Sequence, residues 1–120
     1  MPVSHKDMQE CLKNLGCRTV HQVKKVTEYM LPQTKFAFYL HIENLYPQVV
    51  LPPALEVYLD ELASLPGVTS KEPYYHNADM SRFPKRTHGG KSDIHYGLAF
   101  EFDNSLAVEQ FINRLLGIVK

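Results

Sequence analysis

The chain carries no net charge, since thirteen Lys and Arg offset thirteen Asp and Glu across 120 residues. That balance excludes a chain-wide electrostatic drive toward nucleic acid, so any such drive has to be local. No apolar run approaches the ~20 residues of a membrane-spanning helix, and no membrane partner is expected. Residues 1–7, Met-Pro-Val-Ser-His-Lys-Asp, lack the apolar centre of a signal peptide, which makes a cytoplasmic protein the expectation. Only two cysteines are present. Cys11 and Cys17 fit no zinc-ligand spacing and are too few for a disulfide framework, so they read as reduced packing thiols. Internal repeats, low-complexity tracts and domain linkers are absent. So are a Ser-His-Asp ordering, a nucleophile elbow, a glycine-rich dinucleotide loop and a zinc-ligand set. These absences weigh against an enzyme, and no cofactor is expected.

What is present suffices for one domain over residues 1–120. An apolar fraction of 44% and a charged fraction of 22% are near globular averages, and the length supports a single core without staples. Ser4 and Asp7 form a capping-box-like start. Met8, Cys11, Leu12 and Leu15 then fall at helical spacing, and Gly16 supplies a stop. A helix is predicted from Ser4 to Leu15. Cys17 to Met30 is rich in β-branched residues (Thr19, Val20, Val23, Val26, Thr27), which favours a strand. Read with Val20, Val23, Val26 and Met30 as a helical stripe, the same segment would make a helix-turn-helix.

Lys35 to Glu43 alternates as a half-buried strand, and Gln48 to Leu51 forms a short third one. Pro52-Pro53 opens a second helix with Leu55, Tyr58, Leu59, Leu62 and Leu65 inward, closed by Pro66-Gly67. A fourth strand is predicted within Val68 to Tyr75. The residues from Asn77 to Ser92, with Pro84 and Gly89-Gly90, read as a loop. In Asp93 to Asp103, Ile94, Tyr96, Leu98, Phe100 and Phe102 point one way, and His95, Gly97, Ala99 and Glu101 the other. A last helix, capped by Asn104 or Ser105, turns Val108, Phe111, Ile112, Leu115 and Val119 inward.

The expected fold is thus a two-layer α+β domain of order α-β-β-β-α-β-β-α. Three helices cover one face of a mainly antiparallel five-stranded sheet. The other face, with Tyr39, His41, Glu43, His95, Gly97, Ala99 and Glu101, is expected to stay open, with a low spot at Gly97 and Ala99.

Element order, Leu15-Gly16, Leu51-Pro52, Phe83-Pro84 and His95-Tyr96-Gly97 resemble the YgaC-like family of small bacterial cytoplasmic proteins over nearly the whole chain. The resemblance implies a secretion-chaperone-like α+β arrangement, grouped with the N-terminal domain of the competence regulator TfoX. It implies no activity.

Three constellations could carry function. Between Met80 and Ser92 there is no acid, whereas Arg82, Lys85, Arg86, Lys91 and His88 can all be cationic. Gly89-Gly90 could turn amides toward an anion, and Tyr74 and Tyr75 offer stacking surfaces, as nucleic-acid binding needs. The alternative is a solvated loop whose charge balances Glu56, Asp60 and Glu61. Secondly, Asp93 and His95 share a strand face, and with His76, Asp79 or His88 could hold a metal that activates water. The spacing matches no strong motif, and hydrogen-bonded surface histidines are the commoner case. Thirdly, the open sheet face could receive a second copy or a protein partner, with His95 as a polar anchor. The reading favoured by these features is a non-catalytic binding or adaptor module, expected to be dimeric, with binding residues Tyr74, Tyr75, Arg82, Lys85, Arg86, His88, Lys91 and His95. The alternatives are a small metal-dependent hydrolase or nuclease using Asp93 and His95, and a nucleic-acid-binding regulator.

Overall fold

The computed structural model describes residues 3–22, 26–42, 46–76, 83–87 and 93–119, of which 71–76, 85–87, 93 and 94 are described by their backbone. Helix α1 (His5–Asn14) starts where Ser4 Oγ accepts the Asp7 amide at 3.1 Å. It ends at Gly16, whose φ of +89° allows its own amide to reach Lys13 O and that of Cys17 to reach Leu12 O. Those are the paired bonds by which a left-handed glycine satisfies the last carbonyls of a helix. Met8 and Leu12 are fully buried, and Cys11 and Leu15 pack beside them.

Cys17 to Met30 is extended, as its β-branched residues suggested, but it forms two strands. They are β1 (Arg18–Gln22) and β2 (Val26–Met30), paired antiparallel. Length explains the division. Fourteen residues in one strand would run about 46 Å at ~3.3 Å per residue, beyond the 39 Å longest dimension of the molecule. Among the described residues of this segment there is no helix, so the regulator reading loses its recognition helix. β1 is exposed throughout and carries an irregularity between Thr19 and His21.

β3 (Ala37–His41) and β4 (Gln48–Leu51) follow as expected. Pro52 and Pro53 then open a 3₁₀ segment (Pro53–Tyr58) that becomes helical only at α2 (Leu59–Ala63). Of the predicted stripe only Leu62 is fully buried; Leu55, Leu59 and Leu65 are partly so, and Tyr58 faces solvent. β5 (Val68–His76), β6 (Lys85–Thr87) and β7 (Asp93–Phe102) complete the sheet, and α3 (Ser105–Val119) starts where Asn104 Oδ1 accepts the Ala107 amide at 2.9 Å.

The domain is α+β with an antiparallel sheet, and where five strands were expected the described residues form seven. The order is β1-β2-β3-β4-β7-β5, with β6 pairing β7 beside this path. The division into β1 and β2 adds one strand. The other, β6, lies within the stretch read as a loop and pairs with the N-terminal end of β7. β7 is the longest strand and the hub: β4 pairs with Leu98–Phe100, β5 with much of its length, and β6 with Asp93–His95.

Helices pack on one face. Tyr29, Phe38, Leu40, Val49, Leu51, Leu98, Phe100 and Phe102 meet α1, α2 and α3 there. Phe111 of α3 is the keystone, with its ring centroid 5.0 Å from those of both Phe100 and Phe102. The opposite face differs from expectation. Tyr39, His41 and Ala99 are at most 2% exposed, and Val26 and Val50 are buried beside them. The open face is therefore covered at its centre.

Candidate functional site

What covers that centre is Phe83. Residue 97 of β7 is glycine, and the space left by its missing side chain is occupied. A Cβ placed there would stand 2.6 Å from Leu51 O, 2.7 Å from Val50 Cγ1 and 2.9 Å from Phe83 Cε2. The Phe83 ring lies over this spot, edge-on to Tyr39 with centroids 4.8 Å apart and planes at 82°. Val26, Val50 and Ala99 complete the cluster. Burying a phenylalanine side chain in this way is worth about 1.5–3 kcal/mol before ordering costs. Gly97 and Ala99 were expected to leave room for another surface, and the chain fills that room itself.

His95 holds the backbone of the same residue. Its Nδ1 lies 2.6 Å from Phe83 O. A carbonyl only accepts, so Nδ1 carries the proton and donates, and Nε2 is the nitrogen left with a lone pair on a neutral ring. One residue on, Pro84 O accepts the Tyr96 amide at 3.0 Å, and β6 begins. Side chain, carbonyl and strand thus fix the start of the acid-free stretch to β7.

A polar margin adjoins the plug on the same face. Glu28, His41 and Gln48 are buried, and Gln48 Nε2 donates to Glu101 Oε2 at 2.9 Å. The segment carrying Glu56, Asp60 and Glu61 lies on the helical side of the sheet. There Glu61 is paired with Arg114 of α3 at 2.9 Å.

Registers place the residues singled out from the sequence. Tyr75 is opposite Gly97 and His76 opposite Tyr96 across β5–β7, while Lys85 is opposite His95 and Arg86 opposite Ile94 across β6–β7. Tyr75, His76 and Lys85 therefore register with three consecutive residues of β7, His95 to Gly97. Tyr74 precedes this point on β5, and Asp93 pairs with Thr87. Arg82, His88, Lys91 and Asp79 lie outside the described residues. Among the described residues, no group of three or more His, Cys, Asp or Glu could hold a metal ion. His95 has one ring nitrogen already engaged, so only Nε2 could serve as a ligand. Phe83 was noted only in the Phe83-Pro84 motif and was given no role at the site. Its signal was an aromatic alone at the head of a cationic run, together with a glycine on an otherwise filled strand face.

Two thiols sit elsewhere, on the helical side. Both are free. Burial, reinforced by Cys11, pushes the Cys17 thiol up to about 11, and burial first and Glu109 second raise that of Cys11. Neither is an activated nucleophile. No helix among the described residues is long and apolar enough to cross a membrane. No known protein family model matches the chain, and no curated protein is significantly similar to it.

Proposed function

We propose that this protein is a non-catalytic binding module that receives an acidic protein partner on the 74–91 stretch. The observation that carries the reading is the attachment of Phe83 over Gly97, clamped by His95. It fixes Phe83 to the sheet, within an acid-free sequence that also holds Arg82, Lys85, Arg86, His88 and Lys91. A cationic segment that starts from a fixed point loses less conformational freedom when it meets a counter-charged surface. Tyr74 and Tyr75, on the strand that pairs alongside, would add flat apolar area at little entropic cost. The proposal extends to a cytoplasmic location and to a dimer as the working unit.

We further propose membership of the YgaC-like family. Its support is that the short motifs behind the resemblance coincide with positions that have structural tasks. Gly16 ends α1, Pro52 turns the chain out of β4, and Phe83 rests on Gly97.

The test replaces Arg82, Lys85, Arg86 and Lys91 together by Ala and compares capture of partners from the native cell, with and without nuclease. Loss of salt-sensitive, nuclease-resistant partners at unchanged melting temperature supports the reading. Loss only of nuclease-sensitive material would shift it to nucleic acid, and unchanged capture would end it.

A further inference from the structure

We propose that the cleft between α1 and the β1–β2 hairpin is a binding site for a small oxyanion, a carboxylate or a phosphate. It lies on the helical side of the sheet, away from Phe83, and stands apart from the binding reading above. Gln9 and Lys13, one turn apart on α1, form one wall; Thr19 and Gln22 of β1 form the other. Thr27 and Tyr29 of β2 make the floor, and Cys17 closes one end. The cleft encloses ≈ 440 Å³, toward the lower end of the range of about 300–1,000 Å³ for small-molecule sites.

Three features of this lining point the same way. First, it contains no carboxylate, and Lys13 supplies its single cation. Second, every other polar group there can donate. Burial raises the Tyr29 hydroxyl, which shares a hydrogen bond with Thr19, and the Cys17 thiol is pushed up to about 11, so both keep their protons at neutral pH. The amides of Gln9 and Gln22 add further N–H groups. Third, Thr27 is 2% exposed and its Oγ1 has no hydrogen-bond partner among the described residues. A valine would fill this strand position equally well without burying a hydroxyl that lacks a partner in the protein. A hydroxyl retained at the floor of a donor-rich, cationic cleft finds its partner in an acceptor that enters from outside.

The test is an amide-resolved NMR titration of the full chain with succinate, with sodium phosphate, and with glycerol as an uncharged control. Saturable shifts at Thr19, Gln22, Thr27 and Tyr29 with either anion, at millimolar concentrations and absent with glycerol, are expected. Response to succinate alone assigns a carboxylate ligand, and response to phosphate alone a phosphorylated one. Lys13→Gln should weaken binding about tenfold and Thr27→Val about threefold. Without ligand, Thr27→Val should melt no lower than the parent, which separates a binding role from a packing one. The proposal is overturned if neither anion saturates, if glycerol gives the same shifts, or if Lys13→Gln leaves the affinity unchanged.

Discussion

The two faces of the sheet are closed in opposite ways. On the helical face three helices supply many interlocking side chains, and Phe100, Phe102 and Phe111 form one aromatic centre. On the other face the described residues form one small apolar cluster, and one of its members, Phe83, arrives from outside the regular layers. A core built from many elements resists the loss of any contact far from its centre. A single plug concentrates its contribution at one residue, so it can be removed without dismantling the domain. Such local stability differences are what allow one region to open while the rest stays folded.

Substitutions should separate the faces in order. Phe111→Ala, which empties the helical centre, should cost about 3–5 kcal/mol and leave little folded protein near the parent melting temperature, by circular dichroism. Gly97→Ala should come next, since its Cβ meets the fixed Leu51 carbonyl as well as Phe83. A loss of about 2–3 kcal/mol in urea unfolding is expected. Phe83→Ala should cost about 2 kcal/mol and strip hydrogen-exchange protection from β6 while β3 keeps it. Equal loss of protection in both strands would show that the faces do not uncouple.

His95→Phe removes the bond to Phe83 O and should cost about 1 kcal/mol. Nitrogen shifts in the parent should report the proton on Nδ1; a ring protonated only on Nε2 would contradict the clamp. The smallest effect concerns Cys17. Its folded thiol titrates near 11 against 9.0 for the free group. Below pH 9 both states are neutral and the contribution to stability is complete. Between about 9 and 11 the unfolded thiol ionises first, so stability falls as pH rises. Cys17→Ala should flatten that part of the profile, and at pH 8 the native thiol should be about a hundredfold poorer in thiolate than a free one.

The same contrast explains what could be read from the sequence. α1, β7 and α3 were legible nearly to the residue, because Met8/Cys11/Leu12/Leu15 and the alternation along β7 repeat at the period of the element. The hairpin at 17–30 was legible as extended and illegible as two strands, since Val23-Lys24-Lys25 carries none of the Gly, Asn, Asp or Pro that mark a reversal. The first six residues of the second helix, Pro53–Tyr58, are 3₁₀, which its leucine spacing does not reveal. β6 has no apolar residue to alternate, and its extended form comes from pairing with β7. The site was legible as a neighbourhood: the cationic stretch, Gly97 and His95 were all noted. Their connection depends on Phe83 meeting a residue fourteen positions later, a non-local contact that no periodicity encodes. It also reversed the expectation for the far face, where a gap that looked available to a visitor holds the chain's own ring.

The irregularity in β1 between Thr19 and His21 has a colloidal consequence. A solvent-facing outermost strand with regular hydrogen-bonding groups would template another molecule, and repetition would yield filaments. The extra residue throws successive amides out of step and ends that row. Crowded solutions should therefore keep this protein dispersed, and straightening the kink by deleting Val20 is where fibre growth would begin.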